Sequence, residues 1–296
     1  MNSTYSHSPE SQDKSPSFVF IAFSSTLALF VLAGNALVII AFGKNTCLQT
    51  RTNMFIASLA VSDFLVGGVS MPIWIYLTSV NYPENLSGFF EFFGSFDRFS
   101  ALASIFHLTA ISGERYLAIT RPFVHETLSS RVYKWMIMAA WVTAGLLTGF
   151  FGLCISLQFK ALATVTIFII GFLIPSVLML TVYTGIFRTA RAVINRTPAD
   201  HTEESIRNKV REERRVALTV TLVTALFVIA WLPFFVVSML GQFCSNSLPK
   251  GYDQTIMVKM VKCLHYLNSA VNPFIYAFRD KKMRSSFIKL LGVRRN

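Results

Sequence analysis

The chain has 296 residues, of which 53% are hydrophobic and only 14% are charged, and 28 of them are phenylalanine. This apolar surface is too large for a soluble protein of this length to bury, which excludes an ordinary water-soluble domain. The composition therefore requires lipid as the solvent. The formal net charge of +12 takes its meaning from where the basic residues lie.

Seven mostly apolar windows follow one another along the chain, and each has the length of about 20 residues with which a helix crosses a bilayer. The apolar runs are continuous and lack the alternation of barrel strands. The predicted fold is an all-α membrane protein, a seven-transmembrane helix bundle. The windows are 18–43, 53–79, 89–114, 132–156, 161–187, 215–242 and 255–278.

The distribution of basic residues predicts the orientation. Most of the 27 Lys and Arg residues follow odd-numbered windows or lie in the C-terminal segment, and the positive-inside rule makes that side cytoplasmic. The protein is therefore predicted to cross the plasma membrane several times with its N-terminus outside. The positive charge indicates contact with anionic lipid and no nucleic-acid partner.

The windows divide the chain into three predicted parts. Residues 1–17 are an extracellular tail without the pattern of a signal peptide, residues 18–279 are the seven-helix domain, and 280–296 form a cytoplasmic amphipathic helix with a short tail. Asn2 in "NST" and Asn85 in "NLS" fall on the outer side and are predicted glycosylation sites.

Polar residues inside the windows carry the functional signal because each is costly in a bilayer. A buried carboxylate surrounded by hydroxyls and amides can bind a small cation such as sodium, or can be held protonated. A purely structural hydrogen-bond network is the alternative. The predicted sodium-site residues are Asp63, Ser104, Asn268, Ser269 and Asn272.

Several motifs occur together in one order, although each alone is weak. They are Asn35 in "GN", Asp63 in "LAVSD", "ERY" at 114–116, Trp141, Pro175, Tyr183, "WLP" at 231–233 and "NPFIY" at 272–276. In this order on seven apolar windows, they resemble the class A, rhodopsin-like G-protein-coupled receptors. The resemblance implies a receptor that binds an extracellular ligand and activates a heterotrimeric G protein.

An adjacent acid and base, Glu114 and Arg115, end the third apolar window. A guanidinium there needs a carboxylate or water. The resemblance implies that Glu213 is its second partner and that the Arg115 to Glu213 pair keeps the inner face closed. The implied switch residues are Glu114, Arg115, Tyr116, Glu213, Tyr183, Pro175, Ile105, Phe227, Pro273 and Tyr276, and the implied G-protein contacts are Arg115, Pro122 and Phe123.

The outer end of the third helix carries Asp97, on the same helical face as Arg115. An unpaired aspartate at the outer mouth suits a protonated amine. The resemblance implies the same, since the amine-receptor branch has an aspartate at this position and a tyrosine at that of Tyr266. The predicted ligand-binding residues are Asp97, Arg98, Ala101, Trp231, Phe234, Phe235, Lys262 and Tyr266.

Some residues depart from the amine-receptor pattern. Arg98 and Lys262 make the mouth mixed in charge, so a zwitterionic, lipid or peptide ligand, or constitutive activity without a ligand, is the alternative. Ile167, Phe168 and Gly171 stand where some relatives carry catechol-binding serines, which argues against catecholamines.

The cysteines also depart from the family pattern. Phe90 replaces the usual cysteine of the third helix, and the second outer loop is short, as in melanocortin, lysophospholipid and cannabinoid receptors. Cys244 and Cys263 flank the third outer loop. They form either a disulfide, which is our prediction, or two free thiols, because sequence gives no connectivity.

Other classes of protein fit less well. An opsin needs a lysine where Tyr266 stands, so no retinal is expected. The sequence shows no inverted repeats of the kind found in transporters. It also shows none of the enzyme signatures: a paired nucleophile and base, paired metal ligands or a phosphate-binding loop. His107 and His265 are predicted to be satisfied packing residues. Sodium is the only small cofactor that the sequence indicates.

Overall fold

The computed structural model describes residues 18–80, 87–196 and 225–292, and their regular structure is helical throughout. Seven long helices and a short eighth one confirm the predicted all-α bundle. Their bounds are Phe18–Lys44 (α1), Arg51–Ser79 (α2), Ser87–Thr120 (α3), Ser130–Ser156 (α4), 160–196 (α5), Ala225–Phe243 (α6), Tyr252–Arg279 (α7) and Lys281–Leu290 (α8).

Three predicted positions lie outside the described residues: Asn2, Asn85 and Glu213. The glycosylation sites and the second partner of Arg115 therefore stay predictions. The same holds for the tail 1–17 and for the division of the chain at residue 279.

Among the described residues, five helices, α1, α2, α4, α5 and α6, are long and apolar enough to cross a membrane. Helices α3 and α7 carry charged residues within their length, including Asp97 and Lys262. Large apolar side chains cover the outer surface: Trp135 is 65% exposed, Leu146 69% and Ile229 68%. Such a surface is unfavourable in water and suits a helix bundle in lipid.

Two helices change their winding ahead of a proline. A π-helical turn spans Val66–Ser70 in α2 and Ile169–Leu173 in α5, and each ends two residues before a proline, Pro72 and Pro175. Proline cannot donate the helical hydrogen bond and its ring crowds the preceding turn, which the wider turn accommodates. Trp74, which follows the first turn, is fully buried in the bundle.

The "GN" motif joins α1 to α7. A Cβ on Gly34 would lie 3.0 Å from Cγ of Pro273, so the absence of a side chain permits this close approach. The amide Nδ2 of Asn35 donates to the backbone oxygen of Ser269 at 3.1 Å and to that of Val31 at 2.9 Å. The motif thus holds α1 against α7, the helix that carries "NPFIY".

Helices α2, α3 and α4 meet at a hydroxyl. His107 places Nδ1 2.7 Å from the backbone oxygen of Ala103 and Nε2 2.7 Å from Oγ of Ser58. Since a carbonyl only accepts, Nδ1 carries the hydrogen, and in the neutral ring Nε2 accepts from Ser58. Ser58 in turn accepts from Nε1 of Trp141 at 3.0 Å. His107 is therefore a satisfied packing residue, as the sequence predicts.

The predicted disulfide between Cys244 and Cys263 is wrong. Both thiols are free, as are Cys47 and Cys154. Cys244 is exposed just beyond α6, whereas Cys263 is buried in α7 within the apolar cluster of Leu27 and Trp74. A bond would require Cys263 to leave that cluster.

Helix α8 begins at a capped N-terminus, because the carboxylate of Asp280 accepts from the backbone nitrogens of Lys282 and Met283. Met283 and Phe287 are buried against the bundle core. This burial explains why an amphipathic helix follows α7 directly.

Candidate functional site

A cavity opens at the outer end of the bundle between α3, α5, α6 and α7. It encloses about 820 Å³ of empty space, part of which is open to solvent. Seven of the eight predicted ligand-binding residues line it, and Tyr266 contacts it through Asp97. The lining residues from that set are Asp97, Arg98, Ala101, Trp231, Phe234, Phe235 and Lys262.

The expectation that Asp97 is unpaired is wrong. Its Oδ2 accepts a hydrogen bond from the ammonium of Lys262 in a buried ion pair. Its Oδ1 accepts from the hydroxyl of Tyr266 at 3.2 Å, as the resemblance implies. Lys262 lies one helical turn before Tyr266 in α7, so both side chains approach α3 from the same face.

The ammonium of Lys262 lies within a group of three rings that we call the aromatic cage: Phe93, Phe234 and Tyr266. Its Nζ is 5.6, 5.4 and 5.7 Å from their respective centroids. Ring faces attract cations at this distance. The cage and the carboxylate of Asp97 together form a site with the properties that an ammonium group requires.

Arg98 points to a different neighbour. Its guanidinium stacks over the ring of Phe151 at 3.5 Å, and no ion pair of Arg98 occurs in the described part of the chain. The ion-pair partner of Asp97 is therefore Lys262 and not its sequence neighbour Arg98. Arg98 remains in the cavity wall as a second positive charge.

The inner end of the cavity is an aromatic cluster. Trp231 contacts Phe227 and Phe235 at centroid distances of 5.8 and 5.9 Å, and Phe235 stacks on Phe172 at 4.5 Å. Three of the implied switch residues, Phe227, Ile105 and Pro175, are also buried. Sequence reasoning missed Phe172, which the π turn of α5 holds inside the bundle.

His265 departs from the prediction. Its ring centroid lies 3.8 Å from that of Trp231, and both residues line the cavity. Nδ1 of His265 and Nε1 of Trp231 are buried and have no hydrogen-bond partner among the described residues. His265 was predicted to be satisfied, and only its position next to Tyr266 in the sequence hinted at a place in the site.

The predicted sodium-site residues converge on Asp63 at the centre of the bundle, where it is fully buried. Its Oδ1 accepts from the hydroxyls of Ser104 at 3.1 Å and Ser269 at 2.8 Å, and its Oδ2 accepts from Nδ2 of Asn272 at 2.8 Å. Asn268 is buried nearby but makes no hydrogen bond to Asp63 within the described residues. Four of the five residues thus meet.

Below this cluster, Ser112 of α3 and Tyr183 of α5 join their hydroxyls at 2.6 Å. Tyr276 of "NPFIY" is buried and contributes to the same core as Tyr183. Ser112 was missed by the sequence analysis, although it opens the motif "SGERY". The two helices are therefore hydrogen-bonded one turn above Arg115.

At the inner end, the carboxylate of Glu114 is surrounded by four polar groups from three neighbouring residues. Arg115 contacts it through Nε at 2.6 Å and Nη2 at 2.5 Å, and His125 through Nε2 at 2.9 Å. The hydroxyl of Thr52 lies 3.1 and 3.2 Å from the two carboxylate oxygens and also accepts from Arg115. Thr52 and His125 had no signal in the sequence.

A short helix, Pro122–Thr127, lies between α3 and α4. Arg51 of α2 donates to the backbone oxygens of His125 and Glu126 and so holds its far end. Phe123 is 83% exposed at the inner surface. The geometry presents an apolar side chain beside the buried ion pair of Arg115.

Comparison with known proteins gives the class. The model of the 7 transmembrane receptor (rhodopsin family) matches residues 34–276. The D(1) dopamine receptor of Carassius auratus is 32% identical over 96% of this chain and 90% of its own length. The D(1C) dopamine receptor of Xenopus laevis is 31% identical over 92% of this chain and 67% of its own length. The D(1)-like dopamine receptor of Oreochromis mossambicus is 33% identical over 91% of this chain and 77% of its own length.

The chain therefore belongs to the rhodopsin family of seven-transmembrane receptors. The predicted resemblance to the amine-receptor branch is confirmed, since these relatives are dopamine receptors. The protein is a receptor and not an enzyme, and it crosses the plasma membrane several times with its N-terminus outside.

Proposed function

We propose that this receptor binds an extracellular small ligand through a protonated amine at Asp97 and activates a heterotrimeric G protein. One observation carries the proposal: Asp97 and the aromatic cage already hold an ammonium group, that of Lys262. A ligand amine competes for a place whose chemistry suits it. Charge-assisted hydrogen bonds of this type are among the strongest polar contacts in a water-poor site.

The ligand acts through the aromatic cluster. A molecule that replaces Lys262 at Asp97 fills the space above Trp231, which packs on Phe227. Pro233 lacks one backbone hydrogen bond of α6 and provides a bend there. Displacement of Trp231 then favours an outward movement of the inner half of α6, which exposes Arg115 to the G protein.

The ligand differs from a catecholamine. Gly171 stands at one of the positions where serines would bind catechol hydroxyls, and a Cβ on it would lie 2.6 Å from Cδ2 of Leu102. A side chain there would require the end of Leu102 to shift, and Ile167 and Phe168 occupy the other two positions in the cavity wall. This chain therefore lacks the serines that would bind the catechol hydroxyls of dopamine, the ligand for which the relatives are named.

We also propose that the Asp63 cluster binds a sodium ion in the inactive state. The donor set fits, because a carboxylate and the hydroxyls of Ser104 and Ser269 are oxygen ligands and the amide of Asn272 supplies another when turned. The ion would neutralise the buried carboxylate and stabilise the packing of α2, α3 and α7.

The test measures nucleotide exchange on G protein in membranes from cells that express the receptor at matched surface levels. Amines, lipids and short peptides are applied to the wild type, to Asp97→Asn and to Tyr266→Phe. We expect an amine response that Asp97→Asn abolishes and Tyr266→Phe weakens roughly tenfold or more, since one hydrogen bond to a charged group is worth about 1.5–3 kcal/mol.

Glu91→Gln is the control, because Glu91 is an exposed carboxylate on the same helix. Its response should equal that of the wild type. If lipids or peptides activate the wild type and Asp97→Asn equally, the amine proposal is wrong while the family assignment stands.

A further inference from the structure

We infer that the ligand is a zwitterion of the amino acid type, which binds Asp97 through its ammonium group and Lys262 through its carboxylate. The inference rests on the proposed function and specifies the chemistry of the ligand. It starts from the ion pair between Asp97 and Lys262, which a ligand must open to reach either residue.

The charge balance of the cavity favours such a ligand. Its lining contains one carboxylate, Asp97, and two permanent cations, Arg98 and Lys262. A simple monoamine at Asp97 would displace Lys262 and leave a buried ammonium without a counter-charge. Removing one partner of a buried ion pair is strongly destabilising, so a monoamine loses much of what its own contact contributes.

A zwitterion avoids that loss. It exchanges the single pair of Asp97 and Lys262 for two pairs, one at each end of the ligand. In an α-amino acid the ammonium and carboxylate are attached to one carbon, and they can reach two side chains that are themselves in contact. Every charge in the cavity that was paired before binding is paired afterwards.

The floor of the cavity fits the remainder of the molecule. Phe234, Phe235 and Trp231 provide apolar contact, while Nε1 of Trp231 and Nδ1 of His265 are buried without a partner in the described part of the chain. The indole nitrogen only donates. A ligand side chain that ends in a hydrogen-bond acceptor, such as a hydroxyl or carbonyl oxygen, would accept from Nε1 of Trp231 and offset the cost of burying that donor.

In the resting receptor Lys262 then occupies the place of the ligand ammonium. Its aromatic cage stabilises that state, so any ligand must outcompete a group that is already present. Removal of the lysine charge should therefore make the site accept simple amines and reject carboxylates.

The experiment compares matched triplets of probes: a free amino acid, the amine obtained by its decarboxylation and the acid that lacks the amino group, with tyrosine and tyramine among them. Nucleotide exchange and the thermal unfolding temperature of the purified receptor are measured for wild type, Lys262→Met and Lys262→Arg. Lys259→Met is the control, because Lys259 lies over Phe20, away from Asp97.

We expect an amino acid to act on the wild type at a concentration roughly tenfold or more below that of its amine, and Lys262→Met to reverse the order. Lys262→Arg should keep the wild-type order, and Lys259→Met should not change it. Methionine has a similar length to lysine, so the variant tests charge rather than volume.

The inference is overturned if amines are at least as potent as amino acids on the wild type, or if no amino acid changes the unfolding temperature or the exchange rate. In the first case the proposed function stands and only the zwitterion is excluded. If an amino acid raises the unfolding temperature without nucleotide exchange, the zwitterion site stands and the signalling function falls.

Discussion

Glu114 and Arg115, neighbours in the sequence, form an ion pair in which Oε1 and Nη2 are 2.5 Å apart. Both side chains are almost fully buried, and His125 and Thr52 complete the shell around the carboxylate. Arg115 is therefore held inside the bundle by its own neighbour. In the proposed function, this contact stabilises the inactive state.

Glu114→Gln should raise the ligand-free activity. The substitution keeps the size of the side chain and removes the charge that holds Arg115, so the balance shifts toward the state in which Arg115 is exposed. A difference of about 1 kcal/mol corresponds to a roughly fivefold rise in basal nucleotide exchange. Glu91→Gln, on the exposed outer part of α3, is the control. Unchanged basal exchange at equal surface expression would contradict the prediction.

Phe123→Ala should impair coupling without changing ligand binding. Phe123 is 83% exposed at the inner surface, and an apolar side chain of this size contributes about 1.5–3 kcal/mol when a partner buries it. We expect the ligand-stimulated exchange rate to fall roughly tenfold or more at limiting G protein. Val124→Ala changes the next residue, which is 45% exposed, and should have a smaller effect. Equal losses in the two variants would show that Phe123 has no special role.

The number of long helices and their positions along the chain could be predicted from the sequence, because a bilayer requires continuous apolar windows of about 20 residues. The same holds largely for Asp63, since three of its four predicted partners, Ser104, Ser269 and Asn272, donate to it and Asn268 does not. A buried carboxylate in a membrane needs nearby donors, and few polar residues are available to supply them. Because polar residues are rare in these helices, the partners of Asp63 could be named from the sequence.

The pairing of Asp97 could not be predicted in this way. Arg98 is next to Asp97 in the sequence, and Lys262 faces it from α7. Only the rotation of α3 and α7 about their axes determines which of the two cations pairs with the carboxylate. The disulfide failed for a related reason, since periodicity does not show that Cys263 faces the interior while Cys244 lies in a loop. Side-chain direction at helix ends is a tertiary property.

Asp63→Asn should remove the sensitivity of ligand binding to sodium. In the wild type, replacing choline chloride with sodium chloride should lower agonist affinity, because an ion at Asp63 stabilises the inactive packing that agonists disfavour. The variant keeps the hydrogen bonds of Ser104 and Ser269 but loses the negative charge that attracts the ion. Agonist affinity is measured by competition binding in both salts. Equal sodium effects in wild type and variant would exclude a site at Asp63.

Ser58→Ala should destabilise the bundle although Ser58 is remote from the ligand. Its hydroxyl accepts from Trp141 and donates to His107, so alanine leaves two polar atoms unsatisfied, at a cost of about 1–3 kcal/mol each. Thermal unfolding in detergent, followed with a thiol-reactive dye that detects the buried Cys154 and Cys263, should begin several degrees lower, with basal exchange per folded receptor unchanged. Ser156→Ala, which removes only an exposed bond within α4, should unfold like the wild type. An unfolding temperature equal to that of the control would mean that water replaces the Ser58 hydroxyl.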